Sequence, residues 1–255
     1  MRVLIKIGGR AFSGEKGFRE LAEAMGRAKA EFIIVHGGGS EISEALKTAG
    51  REIRFVDGIR VTEAEDVEIV ERVLSETVNA RIAKYLSDAG CPCRRMSGKT
   101  EGLMMAIPMK TRNGQDVGWV GQIIGVSSGP IEDALSEKNV PVVSPISADV
   151  EGRTYNVNAD SAAAALAAGV NCTDLVYFTD VPGVQVKNQV LSQIRESQVR
   201  EFIASGDITG GMVAKLESAL AALNGGVARV HIAQWSGSLD DVIGAHAKSG
   251  TTVYP

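Results

Sequence analysis

The chain has 255 residues, 44% of them hydrophobic, a formal net charge of -4, three cysteines and three histidines. That length suits one large domain or two small ones. The mild charge and the lack of any basic run argue against nucleic acid or an anionic membrane surface as partner, and nothing approaches the ~18 consecutive apolar residues of a membrane span. Cys91, Cys93 and Cys172 cannot all pair, and Cys91-Pro92-Cys93 is not metal spacing. With so few histidines no metal-ligand set is expected, and free thiols in a reducing cytoplasm are. No leader is expected, because a strand pattern begins by Val3.

In chain order, residues 3–7 read as a buried strand ending in Gly8-Gly9. Phe18, Leu21, Ala22, Met25 and Ala28 then recur at helical spacing. A second apolar strand, residues 32–35, runs into His36-Gly37-Gly38-Gly39 and a helix opened by Ser40. From residue 63 to 86, Val67, Val70, Leu74, Val78 and Ile82 recur at steps of three and four, so a long helix is expected. Residues 103–126 place Gly114, Gly118, Gly121 and Gly125 between short β-prone pieces and read as β-hairpins. Helix is expected over 130–138, strand over 140–143, and an alanine-rich helix over 159–168. A buried strand over 175–179 follows, then helices over 194–205 and 212–223, and short strands at 230–233 and 252–253. The alternation argues for an α/β sandwich with a mostly parallel sheet. No linker or repeat interrupts it. The expectation is one domain over 1–255 with lobes of about 1–146 and 147–255, hinged near residues 144–149.

Open α/β sheets bind ligands at the carboxyl ends of their strands, and there the two glycine runs lie. Consecutive glycines let bare backbone approach a ligand and aim N–H groups at an anion. Lys6 is either an edge-strand lysine facing water or a phosphate ligand, and the adjacent Gly8-Gly9 favours the second. Gly37-Gly38-Gly39 before a helix adds a helix N-terminus to the nest, while His36 reads as a hydrogen-bonded structural residue. Arg60 follows the turn Asp57-Gly58 and is either a surface cation or a bidentate carboxylate grip. Asn156, Asn158 and Asp160 crowd the start of the alanine-rich helix, where Asn158 could simply be its N-cap. Thr179-Asp180-Val181-Pro182-Gly183 ends an apolar strand in an acid and a glycine. Gly210-Gly211 precede a helix carrying Lys215, a cation poorly placed for the helix dipole and so a candidate for function.

Taken in order, these motifs resemble the amino acid kinase family, and within it the branch whose acceptor is N-acetyl-L-glutamate, to which Gly58-Ile59-Arg60-Val61-Thr62 points. The resemblance implies a three-layer αβα sandwich with a central, mostly parallel sheet. It also implies transfer of the γ-phosphoryl of ATP, with Mg²⁺ accompanying the nucleotide, to the acceptor's side-chain carboxylate. Lys6 and Lys215 would stabilise the phosphoryl, and Asp160 would orient both. Gly8, Gly9, Gly38 and Gly39 would donate N–H bonds around the phosphoryl and the reacting carboxylate. Arg60 and Asn156 would grip the α-carboxylate, and Asn158, Thr179, Asp180, Gly183 and Gly211 would lie against ATP. No protein metal site is implied. A cytoplasmic homodimer insensitive to arginine is implied, as in members that start at their first strand. Other acceptors, an aminoadipate derivative or aspartate, and a non-catalytic nucleotide- or metabolite-binding relative are the alternatives. The chain departs from the usual pattern at Thr100-Glu101-Gly102, over residues 184–188, and at His231-Ile232-Ala233-Gln234-Trp235.

Overall fold

A computed structural model describes residues 1–8, 11–12, 14–111, 113–245 and 247–255. The N-terminal half runs β1 (Arg2–Ile7), α1 (Gly14–Arg27), β2 (Glu31–His36), α2 (Gly39–Thr48), β3 (Phe55–Val56), β4 (Ile59–Arg60) and α3 (Ala64–Glu71). A π-helical stretch, Arg72–Val78, joins α3 to α4 (Asn79–Asp88). There follow β5 (Cys93–Ser97), β6 (Met104–Lys110), β7 (Asp116–Val126), α5 (Gly129–Ser136), β8 (Val140–Ser144) and β9 (Ser147–Ala148). The second half holds β10 (Thr154–Val157), α6 (Ala159–Gly169), β11 (Asp174–Phe178), β12 (Gln185–Val186), β13 (Gln189–Val190) and β14 (Gln193–Arg195). It closes with α7 (Glu196–Ser205), α8 (Gly211–Asn224), β15 (Arg229–Ala233) and β16 (Thr251–Tyr254).

One eight-stranded sheet in the order β14-β16-β15-β11-β1-β2-β8-β5 forms the middle layer. All its pairings are parallel except β15 with β16. The alternation along β1 divides the core: Val3, Ile5 and Ile7 pack with Phe18, Leu21 and Ile82 on one face, while Leu4 packs with Ala163, Leu166 and Leu216 on the other. Helices therefore cover both faces, as a mostly parallel sheet requires. The glycine-ended strands β1 and β2 are central, with their carboxyl ends side by side.

Four sequence expectations change. Residue 194 belongs to β14, and the helix expected from there begins at Glu196; a three-residue strand leaves too little alternation to be seen. The helix assigned to Ser40 starts at Gly39, with Gly38 as its N-cap. The long helix of residues 63–86 carries the π-helical stretch in its middle. The glycine-rich segment forms an expected hairpin, β6 with β7, but one that closes a small barrel with β9 and β10.

Gly118 in β7 shows why that segment needs glycine. Its φ is +73°, and a Cβ there would stand 2.3 Å from the carbonyl oxygen of Thr62. Trp119 N–H donates to the same oxygen at 2.7 Å. Gly118→Ala is expected to destabilise the fold by about 2–4 kcal/mol, left-handed strain plus a backbone clash, read as a shift in the urea midpoint.

Candidate active site

Lys6 lies in a central strand and is 9% exposed, so the edge-strand reading is excluded. A buried ammonium needs a partner. Asp160, in the first turn of α6, supplies it: Lys6 Nζ stands 2.8 Å from Oδ1, and Lys215 Nζ donates to Oδ2 at 2.8 Å. Burial disfavours the charge on Asp160, but Lys6 and Lys215 outweigh it and hold the carboxyl below its ordinary range. Lys215 is shifted down: burial dominates, Asp160 opposes it and the charge of Lys6 adds to it. Two cations thus share the Asp160 carboxylate, and Asp180 adds a second acid near Lys215.

The two ammoniums border a cavity of about 470 Å³ lined by Lys6, Gly8, Gly39, Thr179, Asp180 and Lys215 among others. The first turn of α2 opens onto it at Gly39 and Ser40, where helical N–H groups have no intrahelical acceptor and the dipole favours an anion. Gly38 lies against α2's neighbours: a Cβ there would meet Leu74 Cδ2 at 2.8 Å. Gly8 differs from expectation in one respect. Its N–H donates to Phe178 O at 3.2 Å, so it contributes room, with Lys6 Nζ 3.8 Å from a Cβ built there, and not a free donor. Gly9 and His246 lie outside the described residues.

His36 is fully buried; its Nδ1 is 2.9 Å from Gly37 O and its Nε2 3.1 Å from Asn79 Nδ2. A neutral ring with the proton on Nδ1 satisfies both contacts. Burial lowers its pKa to about 4, so it contributes no charge to the anion site.

Arg60 follows a tight hairpin in which Asp57 (φ 51°) and Gly58 (φ 77°) form the turn between β3 and β4, as an Asp-Gly pair favours. Its Nη2 donates to Gly39 O at 2.9 Å and Ser43 Oγ at 2.8 Å, and its guanidinium covers the Phe55 ring at 4.8 Å. Its Nη1 is buried with no hydrogen-bond partner among the described residues. An orphaned guanidinium nitrogen beside the glycine turn is the geometry a carboxylate completes. Asn156 reaches the same region through Thr62: its Nδ2 donates to Thr62 Oγ1 at 3.1 Å, and that hydroxyl donates to Arg60 O at 3.3 Å.

Asn158 is the N-cap of α6, its side-chain oxygen accepting from Asp160 N at 2.9 Å and Ser161 N at 3.1 Å. Asn158, Gly183 and Gly211 are not among the residues lining the cavity. Gly183 instead abuts Thr251 and Val190, and Gly211 is the first residue of α8. Ser43 and Thr62, which tie Arg60 and Asn156 together, were not singled out from the sequence; only their place beside the glycine turn and Arg60 could have marked them. Nor was Lys99, which donates to Glu71 and Thr154 at 2.8 Å each and so braces β10 near Asn156. Of the departures noted above, His231 is a buried partner of Asp174, and Trp235 packs on Phe12 and Phe178.

The profile of the amino acid kinase family matches residues 1–234. The acetylglutamate kinase of Cereibacter sphaeroides is 40% identical over 235 residues, 90% of this chain and 79% of that protein. That of Chloroflexus aurantiacus is 36% identical over 238 residues, 93% of each. A solved Streptococcus mutans protein superposes with a TM-score of 0.80 at 27% identity, covering 99% of this chain and 98% of that one. Giardia carbamate kinase shares the fold at 13% identity, with a TM-score of 0.72 over 99% and 98% of the two chains. The chain belongs to the amino acid kinase family.

Proposed function

We propose that this chain transfers the γ-phosphoryl group of ATP to the side-chain carboxylate of N-acetyl-L-glutamate, giving N-acetylglutamyl 5-phosphate and ADP, the second step of arginine biosynthesis. The observation that carries the reading is the Lys6–Asp160–Lys215 cluster on the wall of the cavity that α2 opens onto. The relatives at 36–40% identity support the acceptor.

The acceptor carboxylate is already ionised at neutral pH, so no general base is needed, in keeping with a neutral, hydrogen-bonded His36. What the transfer requires is alignment of two anions and neutralisation of charge on the phosphoryl oxygens. Lys6 approaches those oxygens from the end of β1 and Lys215 from the N-terminal part of α8, and Asp160 fixes both ammoniums. Gly39 and Ser40 in the first turn of α2 border the same cavity, and Gly38 lets that turn pack closely on Leu74 and Val78. Arg60 takes the α-carboxylate of the acceptor with its unpaired Nη1, next to Asn156. Thr179 and Asp180 line the cavity and are assigned to the nucleotide; Asn158, Gly183 and Gly211 are assigned to it as well, though they do not line that cavity. ATP enters as its Mg²⁺ complex, the ion held chiefly by phosphate and water. Both Asp160 oxygens face lysines, and no group of three or more His, Cys, Asp or Glu among the described residues could hold a metal.

The proposal includes a homodimer in the cytoplasm. No helix among the described residues is long and apolar enough to cross a membrane, and light scattering on the purified chain reads the dimer directly.

The deciding assay traps the acyl phosphate as its hydroxamate, with aspartate and an aminoadipate derivative run beside N-acetylglutamate. Highest kcat/KM on N-acetylglutamate is expected, and absence of turnover on it refutes the reading. Arg60→Lys is expected to raise KM for the acceptor about 10- to 100-fold with little change in kcat, because one ammonium cannot hold Gly39 O and Ser43 Oγ and also present a donor where Nη1 stands.

A further inference from the structure

Beneath the Lys215 ammonium lies the ring of Tyr177, its centroid 5.0 Å from Nζ. Tyr177 is fully buried in β11, directly opposite Lys6 in the parallel register with β1. Its hydroxyl donates to the backbone carbonyl of Asp160 at 3.0 Å. One side chain therefore adjoins all three members of the charged cluster. A buried phenol needs an acceptor, but this acceptor belongs to the turn whose side chain aligns both lysines.

We propose that Tyr177 is a positioning residue for phosphoryl transfer: its ring face holds the Lys215 ammonium toward the cavity, and its hydroxyl pins the first turn of α6 so that Asp160 faces both cations. This rests on the reading of Lys215 as a phosphoryl-stabilising cation. A lysine stem has several freely rotating bonds, and one ion pair fixes the distance of its head better than its direction. An electron-rich ring beneath the head supplies the missing constraint, and the attraction is strongest where water is excluded.

The groups facing Lys215 are Asp160 from α6, Asp180 after β11, Lys6 from β1 and Tyr177 itself. Burial and Lys6 oppose the charge on Lys215, while Asp160 and Asp180 support it. The ring adds to the supporting side. Tyr177 stays a neutral phenol, since burial and the charge of Asp160 push its ionisation well above the ordinary range.

The test compares wild type, Tyr177→Phe, and the protein carrying trifluorophenylalanine at position 177. The last two have nearly the same shape, but fluorination removes the electron-rich face. From Phe to trifluorophenylalanine, kcat is expected to fall about three- to thirtyfold, with both KM values within about twofold. The alkaline limb of the kcat–pH profile should move to lower pH, because the ammonium loses support and deprotonates sooner. Tyr177→Phe alone should lower kcat only several-fold, through the lost bond to Asp160, and leave that limb in place. Equal kcat and superimposable pH profiles for the Phe and trifluorophenylalanine proteins overturn the positioning role. If instead Lys215→Ala keeps wild-type kcat, the reading of Lys215 falls, and this proposal falls with it.

Discussion

Lys215→Met is expected to lower kcat about 10²- to 10³-fold, the usual loss when one preorganised charge is removed from a developing anion, while KM for N-acetylglutamate changes little. Arg60, the proposed anchor of the acceptor, is tied to Gly39 and Ser43. Removal of the ammonium therefore strips an interaction made chiefly as the phosphoryl moves, which lowers kcat and kcat/KM together. Stability should respond the other way. Burial and Lys6 depress the Lys215 pKa despite Asp160, so its charge costs folding free energy at neutral pH. A group whose folded pKa lies below its unfolded value binds fewer protons when folded, and stability rises with pH across that window. Methionine keeps the stem and removes the charge, and Asp160 still has Lys6 at 2.8 Å. The melting temperature is expected to hold or rise while activity falls, a trade-off typical of functional charge. A variant that loses activity and melts far lower would point to a structural lysine instead. Lys6→Met should show a kcat loss of similar size, and the double variant less than the product of the two, because both lysines act on one phosphoryl through one carboxylate.

The parts of this site written in local chemistry were legible. Val3, Leu4, Ile5 and Ile7 around a single lysine, broken by glycine, announce a buried strand whose end approaches a ligand. Their placement in the middle of the sheet follows, because a run buried on both faces must have helices on both sides. Asp57-Gly58 announced the turn that delivers Arg60, but not the two short strands, β3 and β4, that flank it. What stayed hidden depends on register and long-range pairing. Tyr177 reads as one more apolar member of β11, and only the match of Lys6 with Tyr177 across β1 and β11 puts its ring beside the cluster. The barrel was invisible for a similar reason. β9 has two residues, and β10 pairs with β7 across more than thirty intervening positions, so no local pattern joins them. Asn158 was open between cap and ligand, and the two N–H groups its oxygen accepts identify the cap. Gly8 was assigned a free N–H because a glycine pair after a strand permits one; the neighbouring β11 uses that donor to extend the ladder to Phe178 O.

Asp160→Ala is expected to be the most damaging single change in stability and activity together. The carboxylate is the shared counter-charge of two ammoniums whose side chains are 11% and 12% exposed. Its removal leaves like charges facing each other in a desolvated pocket, and breaking a buried pair from one side costs about 3–5 kcal/mol. The folded protein can relieve this only by releasing a proton from one lysine, which also removes a cation the phosphoryl requires. Two consequences separate this account from simple loss of packing. First, the variant should gain stability more steeply than wild type as pH rises toward the unfolded lysine pKa of about 10.4, because its folded state then holds still fewer protons than the unfolded one; a packing defect would leave the wild-type slope. Second, Asp160→Ala combined with Lys215→Met should recover part of the lost stability, since one ammonium no longer faces another, without recovering any activity. Chemical denaturation at pH 7 and pH 9.5 with parallel hydroxamate assays reads both. If the double variant is less stable than Asp160→Ala alone, repulsion between the two ammoniums is not what the carboxylate relieves, and the proposed role of Asp160 as their shared counter-charge falls.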